Sequence, residues 1–203
     1  MTLKFHKTMT GRDKLLEAAQ RIMQIKGFMA TTVDEICDAA GLTKGAFFHH
    51  FKSKEDLGSA VVERFWSGLA NALQSPTATD PDPLERVCHV ADMIAALSKS
   101  PPLSDGCLLG SFVQELSESH PALHSLRARY FSDWADAIER DLSEAATGRD
   151  MKTGADAKEL AEHFIALVEG GLILAKTHHE ASTVSRSMEH FKRYLRSLYG
   201  SDL

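Results

Sequence analysis

Apolar residues along this chain recur at spacings of three and four, which is the period of a helix with one buried face. We find no convincing stretch of the strict alternation that a half-exposed β-strand requires. The spacing predicts nine helices, at about 10–26, 32–40, 43–50, 53–74, 84–97, 105–118, 121–146, 155–178 and 183–199. The sequence therefore predicts an all-α protein.

Residues typical of helix ends mark the first boundaries. Thr10 and Thr32 can each accept a hydrogen bond from the first turn of a helix, and Glu35 can complete a capping box with Thr32. Gly27 and Gly41 can end the first and second helices. These signals predict a compact group of helices at the start of the chain.

Residues 75–83, SPTATDPDP, interrupt the helical pattern, because they contain three prolines in nine residues and show no apolar periodicity. A long helix precedes this break, and further helical segments follow it. We expect a first domain at 9–69, which includes the start of a linker helix, and a second domain at 70–203.

The composition is that of a globular protein, since 43% of the 203 residues are hydrophobic and 25% are charged. Three cysteines without a CxxC pair argue against a disulfide framework and for a reducing compartment. The polar start, MTLKFHKTMTGRDK, lacks the apolar segment of a secretory signal. No run approaches the roughly 18 apolar residues of a membrane span, so we expect a cytoplasmic protein with no membrane partner.

Charge is distributed unevenly along the chain. Residues 1–60 hold nine Lys and Arg against seven Asp and Glu, a net charge of +2. Residues 61–203 hold fourteen against twenty-one, a net charge of −7, within a chain total of −5. A mildly basic head on an acidic body suggests that only the head meets a polyanion.

The stretch GLTKGAFFHHFKSKEDL at 41–57 predicts a helix-turn-helix. Gly41 permits the tight reversal between two short helices. We expect Ile36, Leu42, Phe47 and Phe51 to point inward and to hold the two short helices over the first one. The outer face then carries Thr43, Lys44, Ala46, Phe48, His49 and His50.

The outer residues are of types that suit DNA. Thr43 offers a hydroxyl and helix-start N–H groups to a phosphate or a base edge, and Lys44 suits a guanine edge or a phosphate. Gly45 and Ala46 are small enough to let the helix press into a major groove. Lys54, at the start of the next helix, is placed for a phosphate.

The run TTVDEICDAAGLTKGAFFHHFKSKEDL at 31–57 resembles the signature of the TetR family of bacterial transcriptional regulators, T-x-x-x-I-x-x-x-A-G-V-S-x-x-x-L-Y-x-H-F-x-x-K-x-x-L. The resemblance covers about the first sixty residues. It implies a nine-helix repressor dimer with an N-terminal three-helix DNA-binding head and a C-terminal helical body that binds ligand and dimerises. The family's DNA contacts fall here on Thr32, Thr43, Lys44, Gly45, Ala46, His49, His50 and Lys54.

Two positions depart from the family pattern. Phe48 stands where the family usually has a tyrosine, so a hydroxyl contact is missing, although the ring can still make apolar or stacking contact with DNA. Val33 stands where some members carry a base-reading arginine. His49 and His50 can each face a phosphate or read a base, and one of them can instead satisfy a neighbouring carbonyl.

The stretch DGCLLGSFVQELSESHP at 105–121 resembles the body of a TetR subgroup that includes repressors of electrophile-detoxifying reductases, in which a cysteine at this place can act as the sensor. In the predicted helix, the dipole would lower the pKa of the Cys107 thiol, and Asp105 would raise it. A cysteine on an apolar helix can equally be a small buried hydrophobe. Sensor and core packing are both open alternatives for Cys107.

A ligand pocket in a helical body normally lies between helices and is apolar with a few polar groups. Candidate lining residues are Trp66, His89, Met93, Phe112, Phe131 and Trp134, each of which could instead be plain core. We expect no metal and no cofactor. His120 and His124 have the spacing of a metal pair, but Pro121 favours the first helical position and leaves His120 outside the helix.

The last two predicted helices are the candidate dimer seam. Their apolar stripes could pair two chains or could be buried within one chain. We favour a dimer, because two helix-turn-helix heads must reach sites one DNA turn apart, roughly 34–36 Å. The stripes consist of Leu160, Phe164, Leu167, Val168, Gly171, Leu172 and Ala175 on the first helix and Phe191, Leu195 and Leu198 on the second.

These features predict a DNA-binding transcriptional repressor that a small-molecule or electrophile inducer releases from a palindromic operator. The alternative is a helical interaction or sensor protein whose head has the DNA-binding shape but binds no DNA. We do not expect an enzyme, because the adjacent Cys88 and His89 would point about 100° apart on a helix and no oxyanion-stabilising device is visible.

Overall fold

The structure is a computed structural model that describes residues 9–73, 80–116, 120–147 and 156–200. The regular structure of these residues is entirely helical, which confirms the predicted all-α class. The helices are α1 (Gly11–Lys26), α2 (Val33–Ala40), α3 (Lys44–His50), α4 (Lys54–Leu73), α5 (Pro83–Leu97), α6 (Leu108–Glu115), α7 (Pro121–Ala146), α8 (Ala157–His178) and α9 (Ser182–Leu198).

The largest difference from the predicted boundaries is at α6. It begins at Leu108 rather than at residue 105, because Gly106 has a φ of 101° and Cys107 is the extended residue that precedes the helix. Its predicted end at 117–118 lies outside the described residues, as do residues 75–79 of the predicted break. No helix in the described part of the chain is long and apolar enough to cross a membrane.

Side-chain caps fix the start of α1 and α2, as the sequence predicted. The Thr32 hydroxyl accepts from the N–H of Glu35 at 3.3 Å, while the Glu35 carboxylate accepts from the N–H of Thr32 at 2.9 Å. Thr10 and Asp13 form the same reciprocal pair on α1. Gly41 ends α2 with a left-handed φ of 64°, the conformation that the tight turn into α3 requires.

One apolar core runs through the described residues from the first helices to the last. Phe28 lies between the two halves with no exposed surface, and its ring centroid is 5.4 Å from that of Phe112 on α6. In the body, α5 packs on α7 and α9, and α8 packs on the same two helices. Lys192 of α9 is tied to Asp92 of α5 at 2.7 Å.

Most residues of the stripes predicted as a dimer seam are buried within the chain. Leu160, Phe164, Val168 and Leu172 of α8 are at most 4% exposed, because this face of α8 packs on α7 and α9 of the same molecule. The matching stripe of α9, Phe191, Leu195 and Leu198, is buried in the same core. The assignment of these buried residues to a dimer surface is therefore wrong, since their apolar area is covered within the chain, while Leu167 and Ala175 of the same stripe are half-buried.

Candidate nucleic-acid interface

Helix α3 presents one continuous face to solvent. Lys44, Gly45, Phe48 and His49 are all exposed, and at 100° per residue they fall within about 140° of the helix circumference. Phe47 lies on the opposite side with no exposed surface. The inward Phe47 and the outward Lys44, Phe48 and His49 are thus separated as the sequence predicted.

The threonines that precede α2 and α3 differ in what their hydroxyls can still do. Thr32 donates its hydroxyl proton to Glu35 at 2.9 Å, so within this cap it has no proton left for a phosphate. The Thr43 hydroxyl accepts from the N–H of Ala46 at 3.2 Å, and among the described residues its proton has no acceptor. Thr43 can therefore donate to a ligand at the start of α3, whereas Thr32 has a structural task.

Lys44 forms an ion pair with Asp34. Its Nζ lies 2.8 Å from Oδ1 of Asp34 in the first turn of α2, and both side chains are more than half exposed. The hydrogen bond that Lys44 donates to Asp34 raises the pKa of Lys44, so the ammonium stays charged. An exposed pair of this kind contributes little to stability and separates easily.

The Lys54 ammonium, for which the sequence predicts a phosphate contact, donates within the chain to two backbone carbonyls. Its Nζ donates to the carbonyl oxygens of Phe28 at 3.1 Å and Thr31 at 3.0 Å, and it lies 4.4 Å from the centroid of the Phe28 ring. These partners tie the start of α4 to the loop between α1 and α2. Lys54 makes these contacts because its side chain is long enough to reach both carbonyls of the loop.

The remaining predicted contacts divide between the open face and its edge. Phe48 is 59% exposed, an unusual state for a large apolar side chain on a short helix. Ala46 and His50 are half-buried along one edge of α3. His50 packs so closely on Gly11 that a Cβ at residue 11 would lie 3.1 Å from its Nε2, so it faces α1 more than solvent.

Cys107 lies in a buried polar contact with Glu169 of α8. The thiol is 6% exposed and lines the same small cavity as the Glu169 carboxylate, whose Oε1 is buried without a partner in the described residues. Burial, and then the charge of Glu169, raise the pKa of the Cys107 thiol well above its usual range. A thiolate is thus disfavoured, so the structure supports core packing rather than the sensor alternative.

The other candidate pocket residues do not come together as one site. Phe112 is fully buried against Phe28 at the junction of the two halves. Trp66 stacks on Tyr130 at 5.2 Å and meets Trp134 edge-on at 6.3 Å, which makes a separate aromatic cluster between α4 and α7. The rest, His89, Met93 and Phe131, are half-buried on α5 and α7.

Two family models match this chain. Residues 15–61 match the family described as bacterial regulatory proteins, tetR family, and residues 83–191 match the family described as tetracyclin repressor-like, C-terminal domain. The chain belongs to the TetR family. It is a DNA-binding transcriptional regulator and not an enzyme, as the sequence predicted.

Relatives and solved structures agree with this assignment. The HTH-type transcriptional repressor DhaR of Mycobacterium sp. strain GP1 is 27% identical over 165 residues, which cover 81% of this chain and 82% of DhaR. A TetR regulatory protein from Rhodobacter sphaeroides has a TM-score of 0.80 at 25% identity and covers 91% of this chain and 98% of its own. A TetR regulator from Chloroflexus aurantiacus, at 22% identity, shares the fold with a TM-score of 0.84 and covers 93% of this chain and 95% of its own.

Polar bonds join the DNA-binding half of this TetR-family regulator to its body. Gln24 of α1 donates through Nε2 to the carbonyl of Pro102 at 2.6 Å and of Gly106 at 3.2 Å. The N–H of Met29 donates to the carboxylate of Glu115 on α6 at 3.0 Å. These bonds link the segment that leads into α6, and α6 itself, to α1 and to the loop that precedes α2.

Two residues that contact predicted site residues of this TetR-family regulator were missed from the sequence. Asp34 lies in the first turn of α2, where its carboxylate could have been tested against the lysine of α3. Glu169 interrupts an otherwise apolar run at 167–175. That interruption was the available signal, because an acidic residue within a buried helix face needs a polar partner.

Proposed function

We propose that this protein is a ligand-responsive repressor that binds a palindromic operator as a dimer in the cytoplasm. Residues 9–69 would form the DNA-binding domain and residues 70–203 the domain for effector binding and pairing. The observation that carries the proposal is the open face of α3, where Lys44, Phe48 and His49 are exposed together beside a threonine with a free hydroxyl proton.

The chemistry of this face fits the major groove. Lys44 can donate to O6 and N7 of guanine, and the exposed ring of Phe48 can meet a thymine methyl group. The Thr43 hydroxyl can donate to a backbone phosphate, which fixes register rather than sequence. Gly45 has no side chain on the same face, so the helix backbone can approach the DNA closely.

The pairing surface that we propose is the outward side of α8 and α9. Ile173 and Leu174 of α8 are 49% and 47% exposed, and Tyr194 of α9 is 45% exposed. At Gly170 an added Cβ would meet no described atom within 4 Å, which leaves room for the close approach of a second helix. Ile173 lies on the opposite side of α8 from its predicted stripe, whereas Tyr194 lies beside the predicted stripe of α9, about 40–100° around the helix from its members.

Effector release would act through the contacts between body and head. A ligand that moves α6 in the body would pull on Met29 through Glu115 and on Phe28 through Phe112. Such a ligand must bind the two arrangements of α6 with different affinity to shift their populations. Because the Cys107 thiol is buried with a raised pKa, a reversible small molecule is favoured over an electrophile as the inducer.

The test is selection of bound duplexes from a random pool, followed by titration of the selected site. We expect a two-fold symmetric site with half-sites roughly 34–36 Å apart, bound by a dimer. Tyr194→Asp and Leu174→Asp should give monomers that keep their helicity and bind the full site more weakly. Recovery of no symmetric site, together with no loss of binding in Lys44→Ala, would favour the alternative of a helical interaction protein.

A further inference from the structure

The ion pair between Asp34 and Lys44 joins the two helices of the helix-turn-helix at its solvent-facing side. The Nζ and Oδ1 atoms are 2.8 Å apart, and the side chains are 60% and 63% exposed. Among the described residues, each of these two groups is the other's ion-pair partner. An exposed pair of this kind contributes little to the free energy of folding. Stability therefore does not account for its position on the proposed DNA face.

We propose that Asp34 is a positioning residue for sequence-specific binding, which holds the Lys44 ammonium toward base edges and away from phosphates. This inference rests on the proposed role of α3 as the reading helix. It assigns to a negatively charged residue a part in DNA recognition that charge attraction alone would not predict.

The hydrogen-bond inventory of Lys44 supports this role. A lysine ammonium has three donors and no acceptor. One donor is used by Asp34, which leaves two, and a guanine presents two acceptors, O6 and N7, in the major groove. Lys44 can thus read a guanine while its bond to Asp34 stays intact.

A phosphate contact makes a different demand on the pair. If Lys44 turned to a backbone phosphate on unrelated DNA, the Asp34 carboxylate would be left unpaired next to a polyanion. The repulsion between the carboxylate and the phosphates then opposes the non-specific complex. At a matching site the Asp34 carboxylate keeps Lys44 as its partner. Asp34 therefore increases the difference in affinity between the operator and unrelated DNA.

The decisive experiment compares Asp34→Asn, Asp34→Glu and the control Asp38→Asn, which removes an exposed charge one turn further along α2. Each variant is titrated with the selected operator and with an unrelated duplex of the same length, at several salt concentrations. We expect Asp34→Asn to tighten unrelated DNA by about threefold per head and to steepen its salt dependence by about 0.9 per head, because Lys44 gains a phosphate. Operator affinity should change less. Asp34→Glu and Asp38→Asn should both keep the wild-type ratio of operator affinity to affinity for unrelated DNA.

An equal gain on both duplexes would overturn the inference, since Asp34 would then act only by general repulsion. An unchanged salt dependence for Asp34→Asn, or the same effect from Asp38→Asn, would overturn it as well. A wild-type protein without a preferred site would contradict the proposed function instead. In that case the salt dependence on unrelated DNA still decides whether Asp34 keeps Lys44 from phosphates.

Discussion

The head and the body differ in which of their aromatic and polar side chains stay exposed. On α3 an aromatic ring and a lysine remain exposed, as Phe48 and Lys44. In the body, Trp134 and Cys107 are taken into the core, and the acidic Glu169 goes with them. In the head, α3 packs on other helices along only one side, so residues on its other side stay exposed. In the body, α8 packs on α7 and α9. Burial of a residue there follows from the packing and does not by itself indicate a function.

The strongest test of this comparison uses two adjacent phenylalanines of α3. Phe47→Ala should lower the free energy of unfolding by about 3–5 kcal/mol, because a fully buried ring is lost. Phe48→Ala should change it by no more than about 0.5 kcal/mol and should weaken operator binding by about 1 kcal/mol per head. Chemical denaturation and operator titration of both variants measure these effects.

The contrast fails if both variants lose stability alike, which would mean that Phe48 belongs to the core. It also fails if Phe48→Ala binds the operator as tightly as the wild type. The exposed ring would then have no contact with DNA, and Lys44 and Thr43 would remain as the contacts of the face.

A second pair separates a lysine of the face from a lysine of the junction. Lys54→Met should cost about 1–3 kcal/mol of stability, because two carbonyls lose their donor, and should leave the salt dependence of DNA binding unchanged. Lys44→Met should leave stability nearly unchanged and should lower that salt dependence or the preference for the operator. A reduced salt dependence in Lys54→Met would instead support the phosphate contact expected from the sequence.

The smallest expected effect concerns the buried carboxylate of the body. Burial raises the pKa of Glu169 above its ordinary value of 4.5. The folded state therefore holds this proton more tightly than the unfolded state. The contribution of Glu169 to the free energy of unfolding is highest below pH 4.5 and falls as pH rises through the raised pKa. Glu169→Gln should remove this decline and stabilise the protein at pH 7 by about 1 kcal/mol. The measurement is denaturation between pH 4.5 and 8, with the exposed Glu162→Gln as control, and parallel curves for wild type and Glu169→Gln would contradict it.

Much of the fold could be predicted because its signals are local. The reciprocal bonds of Thr32 and Glu35 and the left-handed Gly41 follow from residues three apart or from one residue alone. The start of α6 was placed too early, because the sequence does not show that Gly106 takes a positive φ there. The identities of the Lys54 partners were also out of reach, since Phe28 and Thr31 lie 26 and 23 positions away.

By itself, the sequence determined the helices of the head, the turn between α2 and α3, and the membership in a DNA-binding family that follows from them. These depend on short-range hydrogen bonds and on the identities of neighbouring residues. Only the tertiary structure decided which apolar stripe of α8 is covered, that Cys107 meets Glu169, and that Asp34 holds Lys44. Each of these is a contact between separate helices, and a helix pattern shows that a face is apolar or charged without showing which neighbour meets it.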